Sequence, residues 1–256
     1  MDQMVDLTIF LLILVRFSSF IMLAPLYGGS NVPPYVKVAL AFYLSLLAYF
    51  TLPSDYTVVF QTDFEYAIII LKEFMTGAAL GFTVYLVFTC LYLAGQIVDF
   101  NLGFSMVNVL DPVAKIQVPL MGNFYYLLLL TVMLVINAHL YLIEGMVFSL
   151  QALPLGEAGI TSGLFTTLVE FFTTMFILAV KIASPILVCM FIVNVALGIL
   201  VRAVPQMNMF VVGLPIKLIL GLIILLITSP IIINIADYLY TMMNDAFFNV
   251  LEGLIQ

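Results

Sequence analysis

The chain has 256 residues, 65% of them apolar and only 8% charged, with a formal net charge of −7. A soluble chain averages about 45–50% apolar and about 25% charged residues, so most of this one's surroundings must be lipid or other apolar protein. The acidic balance argues against a nucleic-acid partner, which selects basic faces. The two cysteines, Cys90 and Cys189, stand singly in apolar runs and suggest neither a disulfide framework nor a CxxC site.

The N-terminal "MDQMVDL" carries two Asp and no basic residue, so the first apolar run reads as retained rather than as a signal peptide. A membrane helix needs about 20 predominantly apolar residues. Six runs reach or approach that length: 5–27, interrupted by Asp6 and Arg16; 36–52, which is short; 74–98 and 116–143, both charge-free; 171–201, with Lys181 inside; and 218–236. The tail from 237 onward is amphipathic and acidic, and is expected to form a helix at or beyond the membrane edge. "GGSNVPP" (28–34), "LPSD" (52–55) and "LPLGEAG" (153–159) are turn-forming breaks. Short links between successive runs predict antiparallel helix hairpins. If all six runs cross, Lys37, Lys115, Arg202 and Lys217 gather on one side and most acidic residues on the other. The excess of Lys and Arg then marks the cytoplasmic side and puts both termini outside.

Arg16, Lys72, Glu73, His139, Glu144 and Lys181 lie in or at the ends of apolar runs. A charge at a bilayer centre costs about 2.5–3.5 kcal/mol on the mildest scale. Pairing within the protein, snorkelling, a proton or ion relay, and the lining of an aqueous conduit are all open readings. Enzyme chemistry fails on inventory. The single His is followed by "LYLIE" and makes no HExxH zinc motif, no metal-ligating cluster stands out, and no Walker-type loop is present. "NLGFSM" holds a GxS, but Met106 stands where a rhomboid-type site wants Gly. No catalytic residue, metal or cofactor is therefore expected.

Small residues carry more. "GAALG" places Gly77 and Gly81 one helical turn apart, with Gly95 farther along the same run. In lipid, such residues let helix backbones approach closely. Pro25, Pro119, Pro185, Pro205, Pro215 and Pro230 stud the run ends and interiors, each removing a helix hydrogen bond. Breaks of that kind are tolerated where neighbouring protein or a wet cavity satisfies the freed groups. The expected fold is all-α, with about six long, kinked apolar helices covered by other subunits.

Several ordered segments resemble one family. "APLYGGSNVPPYVKVALA", "EFMTGAALGF", "AGQIVDFNLGFSMVNVLDP", "NAHLYLIEGMVFSLQALPLG" and "RAVPQMNMFVVGLPIKLILGL" are similar to successive parts of the FliR family of flagellar export-gate subunits, and more distantly to its injectisome counterpart, the SctT family. The resemblance implies a subunit of the type III export gate with FliP and FliQ, set in a helical ring around a pore for unfolded flagellar proteins. It implies FlhB at the cytoplasmic mouth, FlhA nearby, and an assembly of the bacterial inner membrane lifted partly toward the periplasm, within the flagellar basal body. Residues 1–170 would resemble a FliP protomer and 171–256 a FliQ hairpin. Arg202, Pro205, Gln206, Asn208, Pro215 and Lys217 would belong to its FliQ-like cytoplasmic connection.

The resemblance also implies that the segment 101–119 plugs the pore. Physically, a pore for unfolded chains must exclude ions yet admit bulky side chains, and a conformable apolar constriction does this by dewetting. Phe104, Met106, Val107, Val109 and Leu110 supply bulk, and Gly103 permits a bend. Leu110, Asp111 and Pro112 favour a turn, while Ser105, Asn101 and Asn108 add polar groups for backbone or water. The competing class is a small-solute or ion-coupled secondary transporter. Such proteins usually show internal repeats, and none is clear between 1–128 and 129–256.

Overall fold

The computed structural model describes residues 2–29, 32–53, 56–58, 60–104, 119–159, 161–204 and 209–255. Among them there are helices and no strands. In chain order these are α1 (Asp2–Leu23), α2 (Pro25–Gly28), α3 (Pro34–Tyr49), α4 (Asp63–Leu102), α5 (Leu120–Val135), α6 (Ala138–Ala152), α7 (Ser162–Ala203) and α8 (Met209–Ile255).

Local chemistry sets the boundaries. Pro25 and Pro34 open α2 and α3, where a missing N–H costs nothing and the fixed φ already suits a helix. α4 begins with a reciprocal cap: Thr62 Oγ1 accepts the Glu65 N–H at 3.3 Å, and Glu65 accepts the Gln61 N–H at 2.6 Å. Asp63 and Glu65 also complement the positive end of that helix. Buried hydroxyls on apolar helices are satisfied within their own helix: Ser45 donates to the Ala41 carbonyl and Thr83 to that of Ala79.

The six apolar runs form helix over most of their described residues, but their lengths differ from the hydropathy picture. α4, α7 and α8 hold 40, 42 and 47 residues. They are therefore about 60–70 Å long, roughly twice a bilayer's hydrocarbon thickness. Three described helical stretches, Asp63–Leu102, Ser162–Ala203 and Val211–Pro230, are long and apolar enough to cross a membrane. α3 and the described apolar part of α1 are shorter. The fourth run, expected to be continuous, is broken: α5 and α6 meet at 72°. The break is at Asn137, whose φ of 59° lies in the left-handed region. Asn tolerates that conformation better than most non-glycine residues.

The chain forms two compact units, interleaved along the sequence. The first comprises Met1–Val87, Met133–Phe172 and Tyr240–Gln256. Its core includes Leu12, Ile13, Phe17 and Phe20 of α1, Leu80 and Val84 of α4, Leu142 and Met146 of α6, and Met243, Phe247 and Leu254 of α8. The tail is amphipathic as expected. Asp245 and Glu252 are exposed, but its apolar face is buried in protein: Phe20 and Phe247 stack edge-to-face at 6.4 Å. The Gly159 N–H also donates to the Leu254 carbonyl at 2.8 Å. The tail's apolar face is thus part of the first unit's core.

The second unit comprises Phe88–Val132 and Thr173–Leu239. One buried cluster joins Val98, Leu102, Ala183, Ile186 and Met190, with Phe104, Met121 and Leu218 packed around it; Phe88, Leu91, Tyr125 and Leu129 are buried in the same unit. Much of its apolar surface faces outward. Phe191, Leu226 and Ile227 are 69%, 77% and 71% exposed.

Candidate functional site

The expected plug begins where α4 ends. Gly103 adopts φ +86°, a conformation in which an L side chain is strained. Its N–H donates to the Asp99 carbonyl at 3.2 Å, closing the helix. Phe104, half-buried, packs against the second unit's cluster. Asn101, expected to serve loop amides or water, donates instead to the Ile97 carbonyl of its own helix at 2.7 Å. Ser105, Met106, Val107, Asn108, Val109, Leu110, Asp111 and Pro112 lie outside the described residues.

The chain returns at Pro119 and enters α5. Here Asp99, 4% exposed, accepts the Met121 N–H at 3.0 Å on both carboxylate oxygens and the Gly122 N–H at 3.3 Å on Oδ2. Those amides belong to the first turn of α5, where no intrahelical partner exists. A carboxylate there satisfies the donors and meets the positive end of the helix dipole. One turn earlier on α4, a Cβ on Gly95 would collide with the Gly122 and Met121 backbones. The two helices therefore touch backbone to backbone beside the Asp99 contact.

In the first unit, Gly77 and Gly81 lie against α1. A Cβ on Gly77 would meet the Arg16 carbonyl and the Ser19 hydroxyl, and one on Gly81 would come within 2.9 Å of the Phe20 carbonyl. The same crossing holds the buried charges. Arg16 and Glu73 are fully buried and paired, with Nε donating to Oε2 at 2.5 Å. Arg16 Nη1 donates to the Ser149 and Leu153 carbonyls at 3.0 and 3.1 Å, at the end of α6. Glu73 Oε1 accepts the Gly156 N–H at 2.9 Å, and Lys72 donates to the Gly156 carbonyl at 3.1 Å. Nearby, the Leu155 N–H donates to the Tyr56 oxygen at 2.7 Å. Burial raises the Tyr56 pKa above its ordinary value.

The other polar residues of the apolar runs scatter. His139 receives the Tyr27 hydroxyl on its backbone carbonyl, Glu144 lines a pocket of about 530 Å³ with Tyr141, Gln151 and Phe248, and Lys181 is exposed. Of the expected cytoplasmic connection, Arg202 is exposed in the last turn of α7, while Pro215 and Lys217 sit inside α8. Pro205, Gln206 and Asn208 lie outside the described residues. Among the described residues no group of three or more His, Cys, Asp or Glu could hold a metal ion. The Asp99 contact was not legible beforehand: its partners lie 22 and 23 residues away, and no spacing rule links them.

Long apolar helices, three of them able to cross a membrane by length and composition, around a core that holds the Arg16–Glu73 pair define a helical protein of the membrane type. The family described as bacterial export proteins, family 1, matches residues 7–243. The flagellar biosynthetic protein FliR of Bacillus subtilis (strain 168) is 34% identical over 255 residues, 98% of each chain. That of Escherichia coli (strain K12) is 29% identical, over 94% of this chain and 90% of the relative. The surface presentation of antigens protein SpaR of Shigella flexneri is 26% identical, over 85% and 83%. The chain belongs to the FliR family of bacterial export proteins.

Proposed function

We propose that this protein is a non-catalytic core subunit of the flagellar type III export gate, and that residues 101–119 form an apolar plug in a pore for unfolded flagellar proteins. The observation that carries the reading is kinship with FliR proteins along the whole chain. Three helices about twice as long as a bilayer is thick, with exposed apolar faces on α7 and α8, support it. Such faces suit a subunit surrounded by sister proteins. In this reading FliP and FliQ complete a ring. Residues 1–170 play the FliP-like part and 171–256 the FliQ-like part. FlhB and FlhA stand at the cytoplasmic mouth, and the assembly sits in the inner membrane, raised toward the periplasm.

The plug is tested by deleting residues 103–110 and measuring membrane conductance to small ions. The expected result is a leak while export continues; unchanged conductance removes the plug. Crosslinking from position 106 to a stalled exported chain tests pore contact separately. A protein that purifies folded and alone in mild detergent and binds a small solute would instead be a secondary transporter.

A further inference from the structure

We infer that Asp99 is a positioning residue: its carboxylate clasps the end of α4 to the start of α5 and thereby holds the two flanks from which the plug segment departs. The inference rests on the plug reading for its functional meaning, but the clasp stands on described residues alone.

Three observations carry it. The Asp99 carboxylate is buried and spends both oxygens on the N–H groups of Met121 and Gly122. Hydrogen bonds to a charged group are the stronger kind, and buried ones are the costlier to lose. Gly95 and Gly122 bring the two backbones together beside it, so the junction has no side chain to cushion a shift. On the near flank, Gly103 turns the chain at φ +86° and Phe104 packs onto the same unit's cluster, where Met121 of the far flank also packs. Asp99 thus joins the two ends of the 103–119 connection directly, while Phe104 and Met121 join them through the core. Loss of the carboxylate removes the direct tie and leaves two helix-start amides without their acceptor.

The experiment compares the wild-type complex, purified with its partner subunits, with Asp99→Asn and Asp99→Ala. Asn keeps the shape and one acceptor oxygen; Ala removes both. Amide hydrogen exchange read on peptides covering Met121 and Gly122 is expected to speed up at least about tenfold in Asp99→Ala, the factor implied by losing a charge-assisted bond. A smaller increase is expected in Asp99→Asn, with peptides from α1 and α6 unchanged. Membrane conductance should rise in the same order, with complex yield near that of wild type. Unchanged exchange at Met121 and Gly122 overturns the clasp. Accelerated exchange with wild-type conductance, in a background where the 103–110 deletion does leak, overturns its positioning role. If the deletion itself does not leak, the plug reading falls, and the exchange data still decide the clasp. Should Asp99→Ala fail to assemble, the isosteric Asn variant alone decides the outcome by the same two readouts.

Discussion

In the first unit α1, α4 and the end of α6 meet around a buried charge pair; in the second, α4 and α5 meet backbone to backbone at Gly95 and Gly122. The first solution is polar and many-centred. Arg16 and Glu73 between them serve two carbonyls and one amide besides each other. Desolvating such a pair is expensive, and it is offset through Arg16 Nε and Nη1 and both Glu73 oxygens, while Arg16 Nη2 is buried without a hydrogen-bond partner among the described residues. Remove one member and the other is left buried and uncompensated. The second solution is local: small residues give close approach, and one carboxylate caps one helix. The first unit is therefore tied by a buried polar network and the second by close backbone approach, while both present apolar side chains outward, Phe50 and Phe64 in the first and Phe191 and Leu226 in the second.

The largest expected effect is on the charge pair. Arg16→Met or Glu73→Leu alone should destabilise the first unit by about 3–5 kcal/mol, read as loss of monodisperse protein on size exclusion. The double variant should recover part of that loss. If each single variant behaves like wild type, the contrast between the units collapses.

Next comes the α1–α4 crossing. Gly77→Leu drives a side chain into the Arg16 carbonyl and the Ser19 hydroxyl, and overpacking of this kind costs about 1–3 kcal/mol. A thermal midpoint below wild type, with the Gly81→Leu midpoint also lowered, is expected. An unchanged midpoint and normal assembly would mean this face is free. Gly103→Ala should cost about 1–2 kcal/mol, because a side chain is strained at φ +86°. Its effect should appear as faster exchange around residues 99–104, without change in the first unit. The smallest effect is on the outward faces. Phe191→Ser and Leu226→Gln should change the stability of the isolated chain in detergent by no more than about 0.5 kcal/mol, while lowering recovery with partner subunits. A large loss of stability in the isolated chain would show that these faces are already packed.

Much of this arrangement was written in local pattern. Apolar runs, the end of α2 at Gly28, the start of α3 at Pro34 and the amphipathic tail follow local pattern, because hydropathy and Pro/Gly placement act over a few residues. Gly77 and Gly81 stood out as small residues one turn apart, and they lie at a helix crossing. What escaped was either a single-residue event or a long-range one. Asn137 breaks a run that window averaging joins into one span. Pro185, Pro215 and Pro230 suggested interruption, yet α7 and α8 run through them. Arg16 and Glu73 each looked out of place in an apolar run, but nothing in a linear pattern says that residues 57 apart neutralise one another. The Asp99 contact with the start of α5 likewise joins residues 22 and 23 positions apart, which only the tertiary fold brings together.

The course of α8 has a consequence for biogenesis. Residues 240–255 supply Met243, Phe247, Val250, Leu251 and Leu254 to the core of the first unit, and the ribosome makes them long after residues 7–87. Until they arrive, the nascent chain carries an unfilled greasy cleft beside α1. That interval invites misassociation, so chaperoning during synthesis and the timing of chain release become part of how this molecule reaches its working form.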